Sequence, residues 1–268
     1  MTTELELFRT LATWLEEGRG FTLATVVKVE GSAPRHLGAR MLIDADGATV
    51  GTVGGGALEQ RVITEARSAL EAGAPRLLSF RLKGDLGMAC GGSAEVYVEP
   101  MLPPERLYIF GGGHVGKALS AIATGLGFAV TVVDERAEFA APERFPGARG
   151  RPVPSYDPGD WGELDIDARS YCVVATHGHG TDFTVVRALM ALDPAPRYVG
   201  MIGSRTKRRT VEKQLREDGV PEARLPELHT PMGLSIGAET PTEIAVSIAA
   251  ELVQVRHAPT RPREDEPR

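Results

Sequence analysis

Residues 107–116 read Leu-Tyr-Ile-Phe-Gly-Gly-Gly-His-Val-Gly, and they decide the fold of the half of the chain that holds them. The apolar stretch Leu107 to Phe110 has the composition of a buried strand. It runs straight into GxGxxG, counted from Gly111 to Gly116, and a helical pattern opens at His114. The next strand, 129–133, ends on an acid, Asp134. Strand, glycines, helix and acid together form the dinucleotide-binding fingerprint in the setting it requires. Gly111 permits a tight turn. Gly113 lets the backbone approach a pyrophosphate, which free amides and the helix dipole favour at a helix start. Asp134 is then the expected acceptor for a ribose hydroxyl. The same scaffold can also exist without nucleotide duty, because fold does not settle function.

Reading outward toward the C-terminus, strands and helices alternate. The pattern predicts a helix over 114–126, an irregular proline-rich stretch over 135–168 and a strand from Tyr171 to Ala175. A helix over 182–192, a strand from Tyr198 to Ile202 and a helix over 205–218 follow. Such alternation implies a parallel sheet with helices on both faces. The final helix, 241–256, carries a capping box in Thr240 and Glu243 with Pro241 in the first turn. Residues 258–268 are polar and proline-rich and read as a disordered tail.

Reading back toward the N-terminus, Glu99-Pro100-Met101-Leu102-Pro103-Pro104 reads as a stiff connector between domains. Before it the pattern mixes helices with hairpins. Residues 3–17 predict a helix with Leu5, Phe8, Leu11, Ala12 and Leu15 at helical spacing and a Thr3/Glu6 capping box. Phe21 to Val29 reads as a strand. Met41 to Ile43 and Ala48 to Val50 flank Asp46-Gly47, a hairpin signal. A helix over 57–72 and strands over 76–82 and 94–98 complete an α+β half. The expected class is therefore α/β, with an N-terminal α+β domain over 1–102 and a Rossmann-like domain over 105–257.

Composition narrows the function. The chain has 268 residues and a formal charge of −6, without the basic footprint of a nucleic-acid-binding protein. No run of apolar residues is long enough to span a membrane, and the acidic, amphipathic start lacks the pattern of a signal peptide. Two cysteines, Cys90 and Cys172, make neither a disulfide framework nor a cysteine-based zinc site and point to a reduced, cytoplasmic setting. Glycine stands out at about 12% against ~7% in ordinary chains.

Four further segments carry candidate chemistry. In Ile202 to Arg209, Ser204 reads as a helix cap, and four basic residues then crowd a first turn where the dipole disfavours cations. An anion there would offset the repulsion, with Arg205 as its best contact; a solvated basic face is the alternative. In Thr176 to Asp182, His177 lines the edge where α/β ligand sites lie. The spacing matches no zinc signature, and Thr181 or Asp182 could simply cap a helix. In Gly87 to Gly92, Cys90 sits among glycines whose amides can stabilise a thiolate, a soft ligand for a transition metal. Cys172, inside an apolar strand, reads as inert. Finally, Gly31 to His36 and Gly51 to Glu59 combine Arg35 with the glycines Gly54, Gly55 and Gly56 at a helix start, again suited to an anion.

Taken together, the segments GSAPRHLGARML (31–42), GTVGGGALE (51–59), GMACGG (87–92) and YIFGGGHVG (108–116) resemble the XdhC/CoxI family of xanthine dehydrogenase accessory proteins. So do VVDER (132–136), THGHGTD (176–182), VGMIGSRTK (199–207) and PMGLSIGAETPTEIAVSIAAE (231–251), and the matches cover nearly the whole chain in order. The resemblance implies a cytoplasmic, homodimeric molybdenum cofactor chaperone, a maturation factor rather than an enzyme. It would shield the cofactor, support its sulfuration by a cysteine desulfurase and deliver it to an apo molybdenum hydroxylase. Cys90, Gly91, Gly92, Arg35, Gly54, Gly55, Gly56 and Glu59 would form the cofactor site, with Cys90 as a molybdenum contact. Gly111, Gly113, His114, Gly116, Asp134, His177, Ser204 and Arg205 would form a nucleotide or anion site. Ala57 departs from members that carry cysteine after the glycines, which removes a possible second thiol. The competing readings are an NAD(P)-dependent oxidoreductase and a non-catalytic nucleotide sensor, both using the Rossmann-like half.

Overall fold

The computed structural model describes residues 3–32, 35–82, 84, 91–162 and 164–258. The chain divides into two compact units, residues 1–103 and residues 104–268.

The first unit runs α1 (Glu4–Glu16), β1 (Phe21–Glu30), β2 (Arg40–Asp44), β3 (Thr49–Gly51), α2 (Gly56–Ala72), β4 (Arg76–Arg81) and β5 (Ser93–Met101). Its strands form an antiparallel sheet in the order β3-β2-β1-β5-β4. The β2–β3 hairpin turns through Gly47 at φ 90°, with the Asp44 carboxylate accepting from the Asp46 and Ala48 amides. Alternation along the strands splits the sheet into two faces. Ala24, Val26, Met41, Ile43, Val96 and Val98 pack under α2. Phe21 and Leu42, on the other face, pack under α1.

Two expectations need correction in this unit. The apolar spacing on α1 selects Leu5, Phe8 and Leu15, yet these stay 59%, 44% and 45% exposed, while Leu7 and Trp14 are buried. The helix carries two apolar stripes, and the Trp14 indole, edge-on to Phe21 at 5.2 Å, offers the larger contact. The proline-rich connector is also partly strand: β5 continues through Pro100 to Met101 opposite β1. β4 begins only opposite Val98, so Pro100 has a strand neighbour on one side only, a position proline tolerates.

The second unit runs β6 (Arg106–Phe110), α3 (His114–Gly125), β7 (Ala129–Asp134), β8 (Arg149–Pro152), β9 (Tyr171–Val174) and α4 (His179–Met190). It continues with β10 (Tyr198–Met201), α5 (Arg205–Glu217), β11 (Leu228–His229) and α6 (Pro241–His257). The parallel sheet has the order β11-β10-β9-β6-β7-β8. That is the doubly wound arrangement, with its reversal between β6 and β9. Phe110, Cys172, Val174 and Met201 pack on one face against α4 and α5. Leu107, Ile109, Tyr171 and Val173 pack on the other against α3 and α6. Sequence reading missed β8 because an Arg-Gly-Arg-Pro edge strand has no apolar pattern, and it missed β11 because that strand has two residues. α4 starts at His179, three residues before its expected start, so Asp182 lies inside the helix rather than at its cap.

The edge of this unit away from the glycine loop is firmly tied. Arg197, just before β10, donates to the Val255 and Arg256 carbonyls at the end of α6. The Arg256 guanidinium in turn pairs with Glu105, just before β6, at 2.7 Å. Among the described residues no helix is long and apolar enough to cross a membrane.

Candidate functional site

The reversal point of the parallel sheet is built from backbone in close contact. Gly111 has φ 117°, and a Cβ there would collide with the Ala175 carbonyl across the gap between β6 and β9. A Cβ on Gly116 would collide with the Gly111 carbonyl, so helix and strand could not approach as they do. Around Gly113, the N-cap of α3, the Cβ position is open, and no side chain caps the helix. His114 follows it, exposed in the first turn.

Asp134 stands at the end of β7 with its side chain wholly buried. Its Oδ2 accepts from the Gly112 amide at 2.8 Å and from Arg136 Nη2 at 2.9 Å. Its Oδ1 accepts from the Arg136 amide and Nε, each at 2.9 Å. Burial alone would raise this pKa, but the Arg136 guanidinium and the two amides outweigh it and hold the carboxyl below its usual range. Arg136 is also stacked over Phe139 at 3.8 Å. In this structure, then, both Asp134 oxygens are engaged with the protein, and a ribose hydroxyl would have to displace one of these donors. Glu135 is the partly exposed acid beside it, with Oε1 3.4 Å from His177 Nε2.

A second feature lies one strand further along, between the ends of β9 and β10. Here a cavity of about 350 Å³ is lined by His177, Gly178, His179, Asp182, Gly203 and Lys207, among others. Asp182 is buried and accepts from the Thr176 amide and hydroxyl at 2.9 and 2.7 Å and from Lys207 Nζ at 2.7 Å. Ser204 caps α5 by accepting from the Lys207 amide. Arg205 is exposed, so the inward cation of this basic turn is Lys207. Sequence reading could not separate the two: the partner that turns Lys207 inward is 25 residues away.

In the N-terminal unit the segment around Arg35 joins two regions. Arg35, His36, Arg40, Gly51 and Thr52 line a cavity of about 630 Å³ together with the start of α1. Earlier in the same segment, Ser32 accepts from the Gly92 amide at 3.2 Å, beside a second cavity of about 540 Å³ lined by Gly31, Arg81, Gly91 and Gly92. The structure thus brings Arg35 near the Gly51–Thr52 segment and its loop against the Gly91-Gly92 segment. Cys90 itself lies outside the described residues. The glycines before α2 differ from expectation: Gly55 and Gly56 adopt φ of 77° and 60°, and the acceptor at the helix start is the chain's own Glu59. Glu59 Oε1 takes the Gly55 amide at 2.9 Å and the Thr52 hydroxyl. Cys172 is fully buried, and burial pushes its thiol well above the ordinary range, as an inert cysteine requires. Among the described residues no cluster of three His, Cys, Asp or Glu side chains is placed to hold a metal ion.

Known proteins match this arrangement along nearly its full length. An Escherichia coli (strain K12) protein named "Uncharacterized protein YqeB" is 36% identical over 94% of the chain, which spans about half (47%) of that relative. A Bacillus subtilis (strain 168) protein named as a probable xanthine dehydrogenase subunit is 25% identical, covering 90% of the chain and 95% of the relative. The "Molybdenum cofactor insertion chaperone PaoD" of Escherichia coli (strain K12) is 25% identical over 90% of the chain and 85% of its own length. A crystal structure described as a xanthine dehydrogenase from Bacillus halodurans superposes with a TM-score of 0.52 and 25% identity, covering 99% of this chain and 98% of that one. The pattern of the XdhC Rossmann domain matches residues 107–252, and that of the XdhC and CoxI family matches residues 14–81. The chain therefore belongs to the XdhC and CoxI family, with the XdhC Rossmann domain as its C-terminal part.

Proposed function

We propose that the protein binds the molybdenum cofactor as cargo in its N-terminal unit and delivers it to an apo molybdenum hydroxylase of the xanthine dehydrogenase class. The observation that carries this reading is the 31–36 segment. It sets Arg35 at a cavity of about 630 Å³, and its Ser32 carbonyl accepts from the amide of Gly92, which follows Cys90 by two residues in the sequence. A cation from residues 31–36 and a soft thiolate from residues 87–92 suit a cargo that joins a phosphate to a thiophilic metal centre. Two relatives support the client class, one named for molybdenum cofactor insertion and one for xanthine dehydrogenase. In this reading Cys90 is the molybdenum contact, Gly91 and Gly92 hold its loop, and Gly54 to Gly56 with Glu59 shape the neighbouring wall. A cysteine desulfurase supplies the terminal sulfur, and the chaperone works in the cytoplasm as a homodimer.

The oxidoreductase reading keeps Gly111, Gly113 and Gly116 but finds the Asp134 oxygens already engaged. The test is purification from a cofactor-producing host with analysis of molybdenum and pterin. Wild type and Cys172→Ala should retain cofactor, whereas Cys90→Ala and Arg35→Ala should lose most of it. Equal occupancy in all four, or a shift in melting temperature with NAD(H) alone, would overturn the cargo reading.

A further inference from the structure

We propose that the cavity between the ends of β9 and β10 binds a phosphate-class oxyanion, held by Lys207, the first-turn amides of α4 and the Thr230 hydroxyl. This site lies within the parallel-sheet unit and does not depend on the cargo reading.

Three observations carry it. First, α4 begins without a side-chain cap, and among the described residues no group accepts from the amides of His179, Gly180 and Thr181. An acid in the first turn usually relieves such amides, as Glu59 does at α2. Here that acid, Asp182, is drawn away: Oδ1 serves Thr176 and Oδ2 serves Lys207. Second, the Lys207 ammonium has three protons. Asp182 and the Ile202 carbonyl take one each, at 2.7 and 3.2 Å, and the side chain lines the cavity at 16% exposure. Third, the Thr230 hydroxyl is 1% exposed and has no hydrogen-bond partner among the described residues. It lies 3.4 Å from where a Cβ on Gly203, a cavity-lining residue, would stand, a point that the Lys207 methylene Cδ approaches to 3.0 Å. A buried hydroxyl without a partner is unusual enough to demand an explanation.

The wall therefore carries more donors than acceptors, because the Asp182 oxygens are satisfied by its own neighbours. A ligand rich in acceptor oxygens and bearing negative charge completes it, and a tetrahedral phosphate group has that chemistry. Free phosphate, pyrophosphate and the phosphate of a larger ester share it.

The experiment is calorimetric titration of the full chain with inorganic pyrophosphate, phosphate, AMP and NADH. Lys207→Met should weaken pyrophosphate binding at least about tenfold, and Thr230→Val several-fold, while Arg205→Ala should change it less than about twofold. Thr230→Val removes a hydroxyl that bonds nothing among the described residues, so it retains the fold even if Lys207→Met, which strands Asp182, does not. Lys207→Met combined with Asp182→Asn gives a second folded test of the cation. Tighter binding of AMP or NADH than of pyrophosphate marks a phosphate ester as the occupant, and the reverse order marks the inorganic ion. Absence of binding by wild type up to ~10 mM, equal loss with Arg205→Ala, or unchanged affinity in Thr230→Val would overturn the proposal. Molybdenum and pterin take no part in this titration, so its failure leaves the cargo reading standing.

Discussion

Three consecutive glycines lead into both α2 and α3, the last of the first run being the opening residue of α2, and the two runs exist for different physical reasons. Before α2, Gly55 and Gly56 take left-handed conformations with open space around them, and Glu59 folds back onto the Gly55 amide. Before α3, Gly111 and Gly116 answer to close packing against carbonyl oxygens, while Gly113 faces open space with no acid in the first turn. One helix start brings its own anion; the other, among the described residues, has no side chain to cap its amides. A glycine run in a sequence is thus compatible with an anion site but does not announce one. What decides is which acceptor the fold delivers to the freed amides.

The sharpest way to break that contrast is to add a methyl group. Gly111→Ala should cost ~3 kcal/mol or more, read by urea unfolding, because the clash is with backbone that cannot turn aside. Survival at wild-type stability would mean that the close approach across the reversal point is not rigid.

Next in size is Asp134→Asn, expected to cost ~2 kcal/mol at neutral pH by loosening Arg136 and Gly112. Its pH dependence follows from the lowered pKa. A carboxyl held below its unfolded value contributes stability that is complete above that value, ~3.9, and disappears as pH falls through the folded one. The variant should therefore show a flatter acid limb below about pH 4 than wild type. An unchanged limb would mean that another carboxyl governs acid unfolding. Glu251 is the alternative: burial opposes its charge, but His229, Tyr198 and the Gly233 amide overcome this and lower its pKa as well.

Glu59→Ala should have a smaller effect, ~1 kcal/mol, since the amide and hydroxyl it leaves can reach water. The same variant sharpens the comparison, because it turns the start of α2 into the open kind. Gly113→Ala should be mildest, under about 1 kcal/mol, as the added methyl meets nothing. A large loss there would show that the open face is filled in solution.

These cases also mark what the sequence could reveal. The capping boxes of α1 and α6 and the strand–glycine–helix run at β6–α3 were legible because each is complete within a few residues. The inward stripe of α1 was not, since two stripes compete and only packing on Phe21 selects Trp14. The engagement of Asp134 by Arg136 was two residues away and still unseen, because a side chain's direction is not written in its spacing. Lys207 was hidden for a similar reason. Four cations share a turn, and the buried acid that picks one comes from another helix.

The Glu105–Arg256 bond has a further implication for how the parallel-sheet unit can be handled. Its first and last segments are clasped side by side at the rim opposite the glycine loop. A circularly permuted gene, joining these ends by a short linker and opening a surface turn elsewhere, should yield a folded product with its ligand-facing loops untouched.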